Sequence, residues 1–198
     1  IGRAFAAFLH PRQVVLGRDV RLSSIPLARA VTAGLNDSGV AVLDLGLCGT
    51  EQVYFYTAHT GAGGGMMITA SHNPADYNGM KLVRQESRPI SGDSGLREIE
   101  ALAAAAAWPP PASPRGSIQV LDPLDDYVAH LLSYVDHSVL KPLRVVVNAG
   151  NGCAGPVLDR LEAELPFRLI KIHHEPDGTF PNGIPNPLLP ENRAVTAA

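Results

Sequence analysis

Short apolar runs alternate with amphipathic stretches through the first part of the chain, and this alternation is typical of layered α/β domains. Short continuous apolar runs predict buried strands, while apolar positions three or four residues apart predict helices. Serine, threonine and glycine at the ends of these stretches are typical helix caps and stops. The predicted elements are a helix at 2–9, a strand at 13–17, a helix at 24–37, a strand at 40–45, a helix at 50–60 and strands at 65–69 and 81–83.

The second half of the chain predicts three further helices and a new strand unit. An alanine-rich helix begins at Asp93 or Ser94 and runs to Ala107, and the proline-rich stretch 108–114 then forms an extended excursion within the first domain. Asp122 and Pro123 predict the start of another helix, because proline is favoured in the first turn. A strand, a glycine turn, a helix and a second strand follow from near Lys141.

These elements predict an α/β fold, with a layered α/β/α domain built on a mixed sheet, followed by the start of a second, similar α/β domain. We place the boundary between residues 138 and 141, which gives a first domain at 1–138 and a partial second domain at 139–198. With 45% hydrophobic residues among 198, the chain is long enough to bury a core.

The stretch Thr69–Lys81, TASHNPADYNGMK, carries the clearest chemical signal in the sequence. A buried strand delivers a hydroxyl, an imidazole and an amide into a turn, which Pro74 prevents from continuing as a strand or a helix. Glycines before the strand and the Asn-Gly pair after it bracket this turn. We therefore expect Ser71 on a well-defined, exposed loop.

Ser71 needs a partner before it can act, since serine is a weak nucleophile without a base, a metal or prior modification. Side chains of adjacent residues in an extended segment point to opposite faces, so His72 is not required to be that base. On its own, Ser-His-Asn-Pro is typical of a structural turn. Serine hydrolase chemistry is an alternative, but the sequence lacks a G-x-S-x-G elbow and offers no obvious acid partner.

The whole stretch resembles the phosphoserine loop of the α-D-phosphohexomutases, and it looks most like that of their bacterial phosphomannomutase/phosphoglucomutase branch. Residues 17–23 resemble the G-R-D-x-R-x-S element of that family, and residues 141–152 resemble the strand and glycine turn that open its second domain. Residues 176–192 resemble the loop that follows. The resemblance thus covers nearly the whole chain.

The resemblance implies an enzyme that interconverts hexose 1-phosphate and hexose 6-phosphate, of mannose, glucose or both, through a phosphoserine and a hexose 1,6-bisphosphate intermediate. Carried over by position, Ser71 is the phosphoserine, and its phosphate ligates Mg²⁺ together with groups outside this chain. Lys81 is a general acid/base, and His72 steadies the phosphate or the transferring oxygen. Glucose 1,6-bisphosphate is the implied activator. Cations suit these roles, because phosphoryl transfer spreads negative charge over the equatorial oxygens.

Arg18, Arg21 and Asn73 are the candidates for binding phosphate. The two arginines belong to the G-R-D-x-R-x-S element, and Asn73 follows the serine and histidine of the loop. An ion pair between Arg18 and Asp19, which would fix the turn after the strand, is the alternative. Residue chemistry alone favours that pair, since arginines form local pairs more often than they bind ligands.

Composition limits the classes of partner. A formal charge of −3 and a pI near 6.2 give no basic field for nucleic acid. No signal peptide is visible, and the longest apolar stretch, at 101–108, is too short for a membrane helix. Two distant cysteines, Cys48 and Cys153, are typical of reduced thiols. We expect a cytoplasmic protein that binds small hexose phosphates, not nucleic acid or membranes, and the oligomeric state stays open.

The chain departs from the family pattern by omission. The family's N-terminal arginine loop, aspartate-rich Mg²⁺ loop, sugar-selecting loop and C-terminal phosphate-binding domain have no counterpart in these 198 residues. We expect a portion of a larger mutase with little or no turnover alone, and robust conversion of glucose 1-phosphate to glucose 6-phosphate would contradict this. A phosphoglucosamine mutase and a non-catalytic sugar-phosphate binding module are the remaining alternatives.

Overall fold

The computed structural model describes residues 1–197 and confirms the predicted α/β fold. Seven strands and seven helices are present in that range. The strands are β1 Gln13–Arg18, β2 Ala41–Leu47, β3 Gly64–Ile68, β4 Met80–Arg84, β5 Ile118–Val120, β6 Leu143–Asn148 and β7 Phe167–Ile172. The helices are α1 Gly2–Leu9, α2 Ser24–Asp37, α3 Thr50–His59, α4 Leu96–Ala105, α5 Asp125–Leu132, α6 Ala154–Glu164 and α7 Ala194–Ala197. Short 3-10 helices lie at Gln85–Ser87, Gly92–Ser94, His137–Val139 and Pro190–Asn192.

The first five strands form one mixed sheet in the order β4-β3-β1-β2-β5. β1 pairs in parallel with both β2 and β3, and β2 pairs in parallel with β5, whereas β4 runs antiparallel to β3. The parallel pairing brings the carboxyl ends of β1, β2 and β3 to the same edge of the sheet. The sequence pattern does not predict β5, because the run Ile-Gln-Val is too short for its alternation to indicate a strand.

Side chains alternate between the two faces of this sheet, and each face has its own apolar layer. Val14 and Leu16 of β1 belong to the layer that packs against α1, α2 and α4, where Phe5 is fully buried. Val15, between them, belongs to the layer that packs against α3, together with Val53. Helices therefore cover both faces, and the predicted α/β/α layering is confirmed.

Two helix starts differ from the sequence prediction. α4 begins at Leu96, not at Asp93 or Ser94, because Gly95 adopts a φ of 125° and separates the helix from the 3-10 turn before it. α5 likewise begins past Pro123, at Asp125. No helix within residues 1–197 has the length and apolarity that crossing a bilayer requires.

The residues after α5 form a second unit, in which α6 connects the parallel strands β6 and β7. α5 contacts α3 of the first unit and α6 of the second. Its contact with α6 includes an ion pair between Asp125 and Arg160. Because α5 touches both units, the domain boundary between residues 138 and 141 stays a prediction.

The carboxyl ends of β1 and β3 place two loops side by side. The Asp19 N–H donates to the Ile68 carbonyl at 3.0 Å, so the chain that leaves β1 runs beside the end of β3. The chain that leaves β3 turns through Ser71 and returns as β4, with Met80 paired to Ile68. This pairing fixes both ends of residues 69–79, which we call the Ser71 loop.

Candidate functional site

Ser71 is exposed in the Ser71 loop and adopts a left-handed backbone conformation, with a φ of 56°. This conformation costs a residue with a Cβ about 1 kcal/mol, so neighbouring bonds must hold it. The Ser71 N–H donates to Thr69 Oγ1 at 2.9 Å. The Thr69 N–H donates to the Gly79 carbonyl at 2.9 Å and closes the base of the loop. The Ser71 hydroxyl is thus presented to solvent from an ordered turn, as the sequence predicts.

His72 lies closer to the Ser71 hydroxyl than the sequence predicts. Its Nδ1 is 3.4 Å from Ser71 Oγ, at the long end of hydrogen-bond distances. The expectation of opposite faces assumed an extended segment, but the left-handed φ of Ser71 bends the chain there. Both side chains are exposed, so the imidazole is within reach of a group carried by the Ser71 oxygen. The role of His72 stays a prediction.

The side chain of Arg21 holds the Ser71 loop from inside the protein, and only 1% of this residue is exposed. A guanidinium carries five N–H groups in a planar fork, and all five are used here. Nε donates to a carboxylate, while Nη1 and Nη2 donate to four backbone carbonyls of the loop. The acceptors are Asp19 Oδ2 at 3.2 Å, Ser71 O at 2.9 Å, Asn73 O at 2.7 Å, Pro74 O at 2.5 Å and Tyr77 O at 3.1 Å.

This arrangement corrects the expectation that Arg21 faces phosphate, because a guanidinium whose five N–H groups are occupied has none left for an anion. It also corrects the expected ion pair between Arg18 and Asp19. The Asp19 carboxylate pairs with Arg21 Nε at 3.2 Å and accepts the Arg21 backbone N–H at 3.0 Å. Arg21 therefore positions the loop that carries Ser71.

A second set of hydrogen bonds holds the far side of the Ser71 loop. Asn78 Nδ2 donates to Ser23 Oγ at 2.8 Å and to Ser24 Oγ at 2.9 Å, where α2 begins. Ser24 Oγ in turn donates to Asp19 Oδ1 at 2.6 Å. Arg21 and Ser23 of the G-R-D-x-R-x-S element thus bind the loop backbone and Asn78 directly, while Asp19 holds Arg21 and Ser24.

Asn73 closes the turn just after Ser71. Its backbone N–H donates to the Ala70 carbonyl at 3.0 Å, and its Nδ2 donates to the same carbonyl at 2.9 Å. One N–H of the side-chain amide is committed to this turn, and the other is left for a ligand. Asn73 is exposed beside Ser71, and its proposed contact with phosphate stays a prediction.

Arg18 and Lys81 are the cations that the fold leaves available near the loop. Arg18 is the last residue of β1, and it pairs with Ile68, three residues before Ser71. Lys81 lies on β4 opposite Met67, and its side chain is exposed. Within residues 1–197 neither side chain makes a hydrogen bond or an ion pair. Their proposed roles toward phosphate and in proton transfer stay predictions.

Sequence reasoning did not identify the residues that hold the loop in place. Thr69, Asn78 and Asp19 lie inside the two motifs that the sequence singles out, and Ser24 directly follows the first motif. Small polar residues beside a turn commonly bond to the backbone, and that was the available signal. The signal does not say which backbone each residue reaches, because the two motifs are about 50 positions apart.

The described residues do not form a metal site by themselves. Among residues 1–197, no group of three or more His, Cys, Asp or Glu is arranged to hold a metal ion. Asp19, beside the loop, has its two oxygens occupied by Arg21 and Ser24. The expected role of Ser71 as a metal ligand, through a phosphate on its oxygen, stays a prediction.

Two family models match the chain. The model described as phosphoglucomutase/phosphomannomutase, alpha/beta/alpha domain I, matches residues 1–109, and the model for alpha/beta/alpha domain II matches residues 125–198. The first matched segment includes both Ser71 and Arg21.

Curated relatives and a solved structure agree with these matches. The chain is 56% identical to a phosphomannomutase from Salmonella montevideo, over 99% of this chain and 44% of the relative. It is 58% identical to phosphohexose mutases from Xanthomonas campestris pv. campestris, over 100% of this chain and 44% of the relative. A crystal structure of a phosphoglucomutase/phosphomannomutase family protein from Burkholderia thailandensis matches with a TM-score of 0.87 and 33% identity, over 98% of this chain and 43% of that one. The chain thus spans less than half the length of the relatives it matches.

Proposed function

As the chain belongs to the phosphoglucomutase/phosphomannomutase family, we propose that the protein containing it interconverts hexose 1-phosphate and hexose 6-phosphate through a phosphoserine at Ser71. The observation that carries the proposal is the exposed hydroxyl of Ser71 on a loop whose backbone is held by Arg21. Phosphoryl transfer depends mainly on such positioning, because the protein has little covalent chemistry to perform.

In the proposed step, a hydroxyl of the hexose phosphate attacks the phosphorus on Ser71. A new O–P bond forms, the Ser71 Oγ–P bond breaks, and the hydroxyl proton passes to a base, which we propose is Lys81. The hexose 1,6-bisphosphate then returns its other phosphate to Ser71 by the reverse step. We propose that His72, whose Nδ1 lies 3.4 Å from Ser71 Oγ, stabilises the oxygen as it leaves, and that Arg18 supplies a further cation.

Mg²⁺ and glucose 1,6-bisphosphate are parts of the same proposal. The phosphate on Ser71 would supply one Mg²⁺ ligand, and a bound cation there would neutralise charge on the transferring group. Because no group of three or more His, Cys, Asp or Glu within residues 1–197 is arranged to hold a metal ion, the other Mg²⁺ ligands would come from outside this chain. Glucose 1,6-bisphosphate is the proposed donor that phosphorylates Ser71. We also propose a cytoplasmic location, where such sugar phosphates are found.

The substrates proposed are mannose and glucose phosphates. Relatives more than half identical to the chain carry the names phosphomannomutase and phosphohexose mutases, which supports these sugars over glucosamine phosphate. A non-catalytic sugar-phosphate binding module is the competing function, and it predicts binding of hexose phosphate without phosphate exchange on Ser71.

Peptide mass mapping of the whole protein that contains this chain, after incubation with glucose 1,6-bisphosphate and Mg²⁺, tests the proposal. We expect one phosphate on the peptide that contains Ser71, none in Ser71→Ala, and transfer slower by about 100-fold or more in Lys81→Ala. Ser133→Ala removes an exposed serine far from the loop and serves as the control, with unchanged labelling. Phosphate on another serine, or sugar phosphate bound with Ser71 unmodified, would reject the proposal.

A further inference from the structure

Phe180 of the second unit covers the guanidinium of Arg21. The centre of its ring lies 5.3 Å from Arg21 Cζ, and only 8% of Phe180 is exposed. All the edges of the guanidinium are taken by hydrogen bonds, so its planar faces are the surfaces left for packing. An aromatic ring suits a guanidinium face, because the negative face of the ring attracts the cation.

The loop that carries Phe180 is anchored within the second unit by Asn151, which is buried with 7% exposed. The Asp177 N–H donates to the Asn151 carbonyl at 2.9 Å, and Asn182 Nδ2 donates to Asn151 Oδ1 at 2.9 Å. Asn151 Nδ2 donates to the Glu175 carbonyl at 2.9 Å. These bonds tie both sides of the Phe180 turn to the glycine turn that follows β6.

The same loop meets the first unit through its backbone. A Cβ on Gly178 would collide with the carbonyl oxygen of Val20, so the backbones of these two segments approach each other more closely than any residue but glycine permits. Val20 directly precedes Arg21 in the sequence. The second unit therefore contacts the Arg21 clamp, by which we mean Arg21 and its five hydrogen bonds, both at the backbone beside Arg21 and at the guanidinium face.

We propose that Phe180 is a positioning residue, which couples the second unit to the Ser71 loop through Arg21. By covering the guanidinium, the ring excludes water from five hydrogen bonds and keeps the fork in the plane that the loop carbonyls require. The coupling makes the order of the Ser71 loop depend on where the second unit sits. This proposal depends on the proposed function only in that it assigns the Ser71 loop a part in phosphoryl transfer.

The test measures solvent exchange of the Arg21 guanidinium protons and the Ser71 loop amides by NMR. We expect Phe180→Ala and Phe180→Leu to accelerate this exchange on the order of 3- to 30-fold, the range that cation–π energies correspond to. Phe180→Tyr keeps a ring and should restore the wild-type rates. Leu188→Ala, which shortens an exposed apolar side chain of the same unit, is the control and should change nothing.

Gly178→Ala provides a second route to the same readout, because it pushes the loop away from Val20 without touching the ring. It should accelerate Arg21 exchange in the same range. If these variants accelerate exchange only within residues 151–183 and leave Arg21 and the Ser71 loop at wild-type rates, the proposal is wrong. Proton exchange can be measured without phosphate transfer. If the variants accelerate exchange at Arg21 and the Ser71 loop while Ser71 cannot be phosphorylated, the coupling stands and the proposed function is wrong.

Discussion

Two nearby arginines show how surroundings decide what a residue does. Arg21 is buried, and its five N–H groups are all donated to fixed oxygens. Arg18, three residues earlier, is half-buried and makes no side-chain hydrogen bond within residues 1–197. The first arginine holds a loop, and the second is free for an anion. Lysine is no substitute for the first, since it has three N–H groups and no planar fork.

Replacing Arg21 with lysine is expected to lower the free energy of unfolding by about 2–4 kcal/mol, because buried acceptors lose their donors. Urea unfolding measures this. Arg18→Gln is the matched control, and it should change the free energy of unfolding by less than about 0.5 kcal/mol while slowing phosphate transfer to Ser71. An Arg21→Lys variant as stable as the wild type would show that the hydrogen bonds of Arg21 do not stabilise the fold.

The two cysteines are expected to be unreactive in the folded protein. Burial raises the pKa of the Cys153 thiol to about 12 and raises the pKa of Cys48 as well. Since the thiolate is the reactive form, alkylation by iodoacetamide near neutral pH should be at least about 100-fold slower in the folded than in the urea-unfolded chain. Mass mapping of the alkylated peptides separates the two sites. Rapid labelling of Cys48 without urea would contradict its burial, and rapid labelling of Cys153, which is half-buried, would contradict its raised pKa.

At the scale of elements, one carboxylate joins three segments of the first unit. Asp37, the last residue of α2, pairs with Arg3 of α1 at 2.6 Å and with Arg115 at 3.1 Å, just before β5. The hydrogen bond from Arg3 is the main cause that holds the pKa of Asp37 below its ordinary value of 3.8. These two ion pairs link two helices of one layer to the edge of the sheet.

The lowered pKa of Asp37 determines the direction in which the stability of the fold changes with pH. A carboxylate whose pKa is lower in the folded chain stabilises the fold above its unfolded pKa, and the contribution disappears as the pH falls through the folded pKa. Asp37→Asn should therefore be less stable than the wild type at neutral pH, and the difference should shrink below about pH 4. Urea midpoints across the pH range measure it.

Glu100→Gln is the control for this pH effect, because Glu100 is exposed on α4. Its stability should follow the wild type at every pH. A difference between Asp37→Asn and the wild type that stays constant down to pH 2 would assign the loss to packing and not to charge.

At the scale of the whole molecule, the sheet and both apolar layers of the first unit are complete before the second unit begins. The second unit adds two strands and one long helix, and it reaches back to the Arg21 clamp through Phe180. The stability of the first unit and the order of its loop therefore have partly separate sources.

A chain that ends at residue 138 is expected to unfold cooperatively in urea, because it keeps the five-stranded sheet. A chain that ends at residue 109 loses β5 and α5, and it should unfold at lower urea. Circular dichroism follows both transitions. A broad, non-cooperative transition for residues 1–138 would mean that the predicted domain boundary is misplaced.

The sequence alone determined most of the first unit and the place of its serine. Strands such as β1 and β3 and helices such as α2 follow from periodicity and capping, which are local properties of the chain. β5 lacks that local signal, since its residues are exposed and its strand exists only by pairing with β2. The exposed position of Ser71 was likewise predictable from the turn residues on both sides of it.

Only the tertiary structure decided what holds the serine in place. Four of the five acceptors of Arg21 lie 50 or more positions away in the sequence, and Phe180 contacts Arg21 from the second unit. From sequence, an arginine near a candidate phosphate site is predicted to bind phosphate, and only the structure shows that its five N–H groups are already occupied. Burial and hydrogen-bond saturation are properties of the packed chain, so no local pattern could have assigned Arg21 to the loop backbone instead of phosphate.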